Sequence, residues 1–194
     1  MCFAAGTLIA TPSGEVAVER LAPGDRVLAA DGRTVAVLWI GRQTLSRIFT
    51  PEERFRPVRI RAGALGPNVP HADLVVTADH ALLVGDVLVN AGALVNDTSI
   101  VRVPMAELSE RVTYFHVETE AHDLVLANGA VAETFVDNAT RRAFDNFAAF
   151  EARFGDTRDD LPELPLPRVT SRRQLPAAVR SRLLPYADSA TEAA

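Results

Sequence analysis

The chain has 194 residues, of which 48% are hydrophobic and 23% charged, and its formal net charge is −5. This composition is typical of a globular domain with a tail. A net negative charge argues against a nucleic-acid partner, because phosphate binding needs a concentrated basic face. No stretch of the sequence approaches the roughly 18 consecutive apolar residues of a membrane span.

The chain has one cysteine, Cys2. A single thiol excludes an internal disulfide framework and a multi-thiolate zinc site, and we expect neither a metal nor a cofactor. The first residues lack the basic region, apolar core and cleavage site of a signal peptide. We therefore expect a cytoplasmic protein as the chain stands, or a secreted one if it belongs to a longer protein. Whether Met1 is the natural start stays open.

Short apolar runs separated by turn residues dominate residues 2–136. Turn signals recur about every 8–12 residues, which is typical of an all-β domain. Asp31-Gly32 and Asn128-Gly129 predict tight hairpins. The first hairpin is expected to lead into one return strand over residues 34–40, closed by Gly41. Residue 136 is the predicted end of this domain, and residues 137–194 are a C-terminal extension.

The extension is predicted to contain two helices joined by an extended arm. Asp137 or Asn138 is expected to cap a helix over residues 139–154. Its apolar residues recur at helical spacing and predict a face that packs on the domain, formed by Ala143, Phe144, Phe147, Phe150 and Phe154. The proline-rich residues 161–167 predict the extended arm.

A last short helix is expected within residues 170–184. The final ten residues are expected to be disordered.

Three of the four histidines, His80, His116 and His122, lie in strand-like segments far from Cys2. A thiol attacks as its thiolate, so it needs a partner such as imidazole to hold or move its proton. The alternative for Cys2 is a small buried hydrophobic residue. The alternative for His80 is a structural histidine whose hydrogen bonds are satisfied. For His122 both interpretations, catalytic and structural, stay open. His71 is interpreted as a surface histidine.

Three sequence blocks together resemble the Hedgehog/intein family, the Hint domain, in its bacterial branch. The resemblance covers roughly residues 2–136 and rests on three blocks in the right order and spacing, since a single Thr-x-x-His would be weak evidence. The blocks are Cys2-Phe3 with Gly6-Thr7-Leu8-Ile9-Ala10-Thr11 and Gly24-Asp25, then Thr77-Ala78-Asp79-His80, and finally Tyr114 through Ala121-His122-Asp123 to Asn128-Gly129.

The resemblance implies an all-β, horseshoe-like fold of curved strands with pseudo-twofold halves, followed by the α-helical extension. It also implies a single-turnover reaction in which Cys2 attacks the carbonyl group of the preceding residue and forms a thioester. His80 would then protonate the departing amide nitrogen, with Thr77 positioning it and Asp79 as an electrostatic helper. His122 matches the late-block histidine, and His116 is a second candidate.

The sequence departs from the splicing members of the family at the end of the last predicted strand. Those proteins end this strand in His-Asn, whereas Glu133-Thr134-Phe135 stands here. The resemblance therefore implies cleavage before Cys2 without splicing, with water or a small nucleophile as acyl acceptor. The substrate would be an upstream polypeptide fused in cis, if the natural chain is longer.

The alternative function is a Hint-fold module that has lost processing and serves in protein interaction or structure. This alternative gains if Met1 is the natural start, because nothing of consequence would then be released. A Cys-His hydrolase that acts on other molecules is a weaker reading. Such enzymes usually place the cysteine at the start of a helix, whereas residues 3–11 are predicted to form a strand.

Overall fold

The computed structural model describes residues 2–136, 141–155 and 161–183. The strands are numbered in chain order. One sheet has six strands, and their spatial order is β11 (Ile100–Arg102), β7 (Val58–Ile60), β8 (Leu74–Val76), β1 (Phe3–Ala4), β12 (Arg111–Glu118) and β6 (Trp39–Ser46). The short β1 is thus central, and its Phe3 pairs with Val76 on one side and Phe115 on the other.

A second sheet has seven strands. Their spatial order is β15 (Arg168–Val169), β10 (Val87–Asn90), β9 (Ala81–Val84), β14 (Ala130–Glu133), β13 (Leu124–Ala127), β2 (Leu8–Thr11) and β3 (Gly14–Ala17). The pair β10–β15 is parallel, and through it the C-terminal extension joins this sheet. A separate ribbon pairs β4 (Arg26–Leu28) with β5 (Thr34–Ala36).

The helices are short. The α-helices are α1 (Glu52–Phe55), α2 (Ala91–Leu94), α3 (Phe147–Phe154) and α4 (Ala177–Leu183), and single 3-10 turns occur at Val18–Arg20, Met105–Glu107, Arg141–Ala143 and Arg172–Gln174. Within the described ranges, no helix is long and apolar enough to cross a membrane.

Two apolar clusters hold the elements together. The larger one joins both sheets and includes Leu175, Val179 and Leu183 of the extension. The smaller one is aromatic and lies around Cys2, with Trp39, Tyr114, Phe135, Phe144 and Phe150 as its other buried members. Burying apolar side chains of this size is the main driving force for docking the extension on the β domain.

The prediction of a mostly β fold with helices in the C-terminal part is confirmed. The Asn128-Gly129 hairpin joins β13 to β14, and both residues have the positive φ that this turn requires, 47° and 77°. The predicted single strand over residues 34–40 is wrong. The chain forms β5 and then β6, which pair with different strands, and β6 continues through Gly41 to Ser46.

The predicted helix over residues 139–154 is also wrong in its extent. A 3-10 turn over Arg141–Ala143 and α3 replace its described part, because Asp145 and Asn146 between them hydrogen-bond to the edge of β6. The proposed caps, Asp137 and Asn138, lie outside the described residues.

The expected last helix is divided at Pro176 into the 3-10 turn over Arg172–Gln174 and α4. The final ten residues, predicted to be disordered, lie outside the described part of the chain.

Candidate functional site

Cys2 is buried directly before β1, and only 2% of it is exposed. Its backbone is fixed to Thr77, which follows β8. The Cys2 N–H donates a hydrogen bond to Thr77 Oγ1 at 2.9 Å, and the Thr77 N–H donates to the Cys2 carbonyl oxygen at 2.9 Å. Two of the three sequence blocks therefore meet at this point.

The residues from Thr77 to His80 form a tight turn between β8 and β9. The His80 N–H donates to the Thr77 carbonyl oxygen at 3.1 Å. From the other side, the Ala91 N–H donates to the His80 carbonyl oxygen and the Gly92 N–H to that of Ala78, each at 2.8 Å. A Cβ atom on Gly92 would lie only 3.1 Å from the Ala78 oxygen. The peptide groups of this polar interruption are thus satisfied by backbone hydrogen bonds.

Asp79 is exposed and lies beside Thr77, whose hydroxyl group hydrogen-bonds to it. Although the residue as a whole is exposed, partial desolvation of its carboxylate acts to raise the pKa of Asp79, but the positive charge of the chain terminus and the Thr77 hydroxyl group hold it below its ordinary value. A carboxylate can only accept, so the Thr77 hydroxyl donates to Asp79 and accepts from the Cys2 N–H. Asp79 thereby orients the oxygen that holds Cys2.

The His80 ring is completely buried and packs on Phe3, with ring centroids 4.3 Å apart. Neither ring nitrogen makes an aligned hydrogen bond to a described residue. Burial lowers the pKa of His80 to about 4, although the carboxylates of Glu133 and Asp79 act to raise it. His80 is therefore a neutral imidazole at neutral pH.

The second candidate, His116, lies next to His80, with ring centroids 6.2 Å apart. It is 2% exposed, and its ring contacts Phe135 edge-on at 4.9 Å and Phe144 at 5.9 Å. Both of its ring nitrogens lack a hydrogen-bond partner among the described residues. Burial holds the pKa of His116 well below its ordinary value, and the structure thus brings two neutral histidines together near Cys2.

His122 is engaged elsewhere. Its Nδ1 accepts a hydrogen bond from the Leu164 N–H at 3.1 Å, and its Nε2 lies 3.3 Å from Glu133 Oε2 without good hydrogen-bond alignment. Arg168 also binds Glu133, with Nη2–Oε2 at 2.7 Å and Nη1–Oε1 at 3.2 Å. His122 therefore belongs to a buried network that anchors the C-terminal extension.

The Glu133 carboxylate links this network to the site. Its Oε1 accepts the Ala81 N–H, directly after His80, at 2.9 Å. Burial acts to raise the pKa of Glu133, but His122 and Arg168 lower it to about 2. Sequence reasoning treated Glu133 only as a departure from the His-Asn ending, and no local signal indicated that it would be a buried ion.

The Cys2 thiol is held in its protonated form. Burial raises its pKa to about 11, and the Asp79 charge acts in the same direction, although the positive charge of the chain terminus opposes both. The thiolate is the nucleophilic form, so this sulfur reacts only when a base takes its proton.

A cavity of about 230 Å³ lies beside Cys2. Neither His80 nor His122 is among its described lining residues, which are Cys2, Gln43, Leu45, Glu53, Arg54, Thr77, Ala78, Asp79, Ala143 and Phe144. Four elements meet here: β6, α1, the turn after β8 and the C-terminal extension. The described residues contain no cluster of three or more His, Cys, Asp or Glu side chains that could hold a metal ion.

His71 is not simply exposed, as predicted, but half-buried, and its Nε2 lies 2.8 Å from Glu15 Oε1. It lies in the loop beside the Asn128-Gly129 turn, and its N–H donates to the Asn128 carbonyl oxygen. This histidine takes no part in the group around Cys2.

A family model described as the Hint domain matches residues 1–139. The chain belongs to the Hint domain family. The predicted family and its all-β fold are thus confirmed, and the fold is of the self-processing type. A search of curated proteins found no match.

Several solved structures are similar to this Hint domain. The MchDnaB-1 intein (N145AA) is 20% identical with a TM-score of 0.48, and the match covers 69% of this chain and 99% of the intein. A bacterial intein-like domain from Clostridium thermocellum is 24% identical, with a TM-score of 0.46 and coverages of 69% and 98%. A DnaB intein from Synechocystis sp. PCC 6803 is 13% identical, with a TM-score of 0.48 and coverages of 70% and 99%.

Proposed function

We propose that this Hint domain cleaves the peptide bond before Cys2 when an upstream polypeptide is fused to it. The Cys2 sulfur attacks the carbonyl carbon of the upstream residue, a C–S bond forms, and the C–N bond breaks. The thiol proton ends on the freed Cys2 amine. Water or another small nucleophile then takes the acyl group from the thioester, and its proton returns to the sulfur.

The observation that carries this proposal is the hydrogen bond from the Cys2 N–H to Thr77 Oγ1, at 2.9 Å. That nitrogen is the leaving group of the proposed reaction. Thr77 fixes the plane of the amide while the sulfur next to it attacks, and Asp79 orients the Thr77 hydroxyl group. Because the substrate bond belongs to the chain itself, folding supplies the proximity that other enzymes must gain by binding.

His80 is the proposed proton carrier. A neutral imidazole can accept the thiol proton, and an imidazolium with a pKa of about 4 readily gives it to the departing amine. The transfer leaves no lasting charge in apolar surroundings. His116 lies within reach of the His80 ring and is the reserve candidate. His122 has no part in the proposed reaction, because Glu133 and Leu164 engage its ring.

No splicing or asparagine-driven C-terminal cleavage is proposed. Glu133 and Thr134 stand at the end of the last strand, and Glu133 is an ion-paired, buried carboxylate rather than a reacting group. Asparagine cyclisation needs an asparagine side chain at the end of this strand, and none of Glu133, Thr134 and Phe135 provides one.

A second candidate function is a Hint-fold module that no longer processes. Cys2 is 2% exposed and its pKa is raised to about 11, which suits a buried structural thiol as well as a guarded nucleophile. Such a module would serve as a protein-interaction or structural unit.

Intact-mass analysis of the chain fused behind a small reporter domain tests the proposal, with and without dithiothreitol or hydroxylamine. We expect release of the reporter, faster with either nucleophile and lost in Cys2→Ala. His80→Ala should slow release by about a hundredfold, the usual contribution of a general acid or base. His71→Ala is the matched control, since His71 lies outside the site, and it should release reporter at the parental rate.

An intact fusion under every condition, from protein that is folded by circular dichroism, would overturn the processing proposal and favour the second candidate. Equal slowing by His71→Ala and His80→Ala would remove His80 from the mechanism.

A further inference from the structure

One wall of the cavity beside Cys2 belongs to the C-terminal extension. Ala143 and Phe144 line it together with Glu53 and Arg54 of α1. Both wall residues lie beyond residue 139, where the match to the Hint domain family ends. The extension therefore completes the surroundings of the reacting sulfur.

The position of the Phe144 ring is fixed by close packing against Trp39 and Gly41. It is 6% exposed and meets Trp39 edge-on, with ring centroids 5.2 Å apart. This packing depends on Gly41 of β6, where an added Cβ atom would lie 2.8 Å from Phe144 Cδ1 and 2.8 Å from Trp39 Cζ3. Only a residue without a side chain lets the ring approach β6 so closely.

The backbone around Phe144 is also fixed to β6. The Asp145 N–H donates to the Arg42 carbonyl oxygen at 2.7 Å, and Asn146 Oδ1 accepts the Arg42 N–H at 2.8 Å. Asn146 Nδ2 donates to the Ile40 carbonyl oxygen at 2.8 Å. The segment is thus bound to both N–H and carbonyl groups of β6, and these hydrogen bonds fix Phe144 in the wall of the cavity.

A buried ion pair anchors the segment from its other end. Arg141 Nε lies 3.1 Å from Glu118 Oε2, and the Glu118 side chain is completely buried. The Arg141 guanidinium also lies over the Phe135 ring, 4.6 Å from its centroid. Arg141 thus ties this segment to a buried carboxylate of β12.

We propose that Phe144 is a specificity-determining residue: its ring sets the size of the nucleophile that can reach the acyl group on Cys2. The nucleophile attacks the thioester carbon, the C–S bond breaks, and the nucleophile's proton passes to the sulfur. Hydroxylamine and water fit into the cavity beside the ring, whereas a tripeptide thiol such as glutathione must displace it. The inference rests on the proposed function for its chemistry, but the access to Cys2 can be measured without it.

The rate of alkylation of Cys2, the only cysteine in the sequence, measures directly how easily a reagent reaches the thiol. The rates with iodoacetamide and with fluorescein maleimide are compared in the 194-residue chain, in Phe144→Ala and in Phe150→Ala. The ratio of the two rates removes the effect of the raised thiol pKa, because both reagents need the same thiolate. Phe150 is the matched control, since it contacts Trp39 at 5.2 Å in the same aromatic cluster but does not line the cavity.

We expect Phe144→Ala to raise the maleimide-to-iodoacetamide ratio by about tenfold, and Phe150→Ala to change it by less than about twofold. An unchanged ratio in folded Phe144→Ala, or an equal rise in both variants, overturns the inference. If Phe144→Ala does not fold, Phe144→Leu replaces it, with a smaller expected rise.

The fusion assay separates this inference from the proposed function. With a cleaving fusion, Phe144→Ala should raise the ratio of glutathione-driven to hydroxylamine-driven release, and an unchanged ratio overturns the inference while the proposed function stands. If the fusion never cleaves but the alkylation ratios are as expected, the proposed function is overturned. Phe144 then remains the residue that controls access to Cys2.

Discussion

Cys2 and Thr77 are joined in both directions, by the Cys2 N–H to Thr77 Oγ1 and by the Thr77 N–H to the Cys2 carbonyl oxygen, each at 2.9 Å. The Cys2 nitrogen, which is the leaving group of the proposed reaction, is therefore held by the Thr77 hydroxyl group. Thr77 becomes the residue whose replacement is most informative about the amide.

Thr77→Val keeps the shape of the side chain and removes the hydroxyl group. The Cys2 N–H then loses the partner that fixes the scissile amide beside the attacking sulfur, so we expect reporter release to slow by roughly 10- to 100-fold. Thr77→Ser keeps the oxygen and should stay within about threefold of the parent. Release kinetics by intact mass measure both, and equal rates for Val and Ser would show that the hydroxyl group is dispensable.

Stability should fall as the pH decreases from 6.5 towards 4. The pKa of folded His80 is about 4, below its ordinary 6.5, so the unfolded chain binds a proton in this range while the folded chain does not. The His80 contribution to the free energy of unfolding therefore falls by up to roughly 3 kcal/mol, and this contribution levels off below pH 4. His116 is shifted in the same direction and adds to it.

Urea unfolding between pH 4 and pH 7 measures this loss. His80→Gln should make the dependence shallower, because it removes the imidazole whose pKa is lowered by burial. Glu133, with a pKa of about 2 instead of 4.5, loses its stabilising contribution between pH 4.5 and about pH 2, mostly below the measured range. An identical slope in parent and His80→Gln would contradict the expected state of His80.

Arg168→Gln should be strongly destabilising. It removes the guanidinium that binds both oxygens of the completely buried Glu133, and breaking one side of a buried pair costs about 3–5 kcal/mol. The control is Arg59→Gln, whose partner Glu107 is 47% exposed at the surface, with an expected cost of about 0–1 kcal/mol. Thermal and urea unfolding compare the two, and similar costs would mean that Glu133 finds another partner.

Gly41→Ala should destabilise the protein by about 1–3 kcal/mol through overpacking. Gly41 does not have the left-handed backbone that favours glycine, so the cost comes from the contact of the new Cβ atom with Phe144 and Trp39, each at 2.8 Å. Phe144→Leu in the same chain should recover part of the loss. A double-mutant cycle in urea measures this coupling. Strictly additive effects of Gly41→Ala and Phe144→Leu on the free energy of unfolding would show that the new Cβ atom does not clash with Phe144.

Local patterns in the sequence predicted the parts of the fold that depend on local chemistry. Asn128-Gly129 forms the expected hairpin because two consecutive positive φ angles are easiest for these residue types. The polar residues from Thr77 to His80 interrupt an apolar run at the turn that holds Cys2. In both cases the signal and its structural cause lie within a few residues of each other.

The remaining features depend on contacts between distant segments. Helical spacing over residues 139–154 predicted one helix, but the hydrogen bonds of Asp145 and Asn146 to β6 outweigh that local preference. Nothing in the sequence selects Arg168 as the partner of Glu133 among 20 basic residues. The wall formed by Phe144 likewise became visible only once β6 and the extension were seen together.

The attachment of Asp145 and Asn146 to β6 has a consequence for the behaviour of the protein in solution. β6 is the outer strand of its sheet and is eight residues long, and an outer strand of this kind is a template for pairing with another chain. Here the peptide groups of Ile40, Arg42 and Thr44 are already occupied by the extension. The same segment that walls the cavity at Cys2 thus protects the protein against edge-to-edge aggregation.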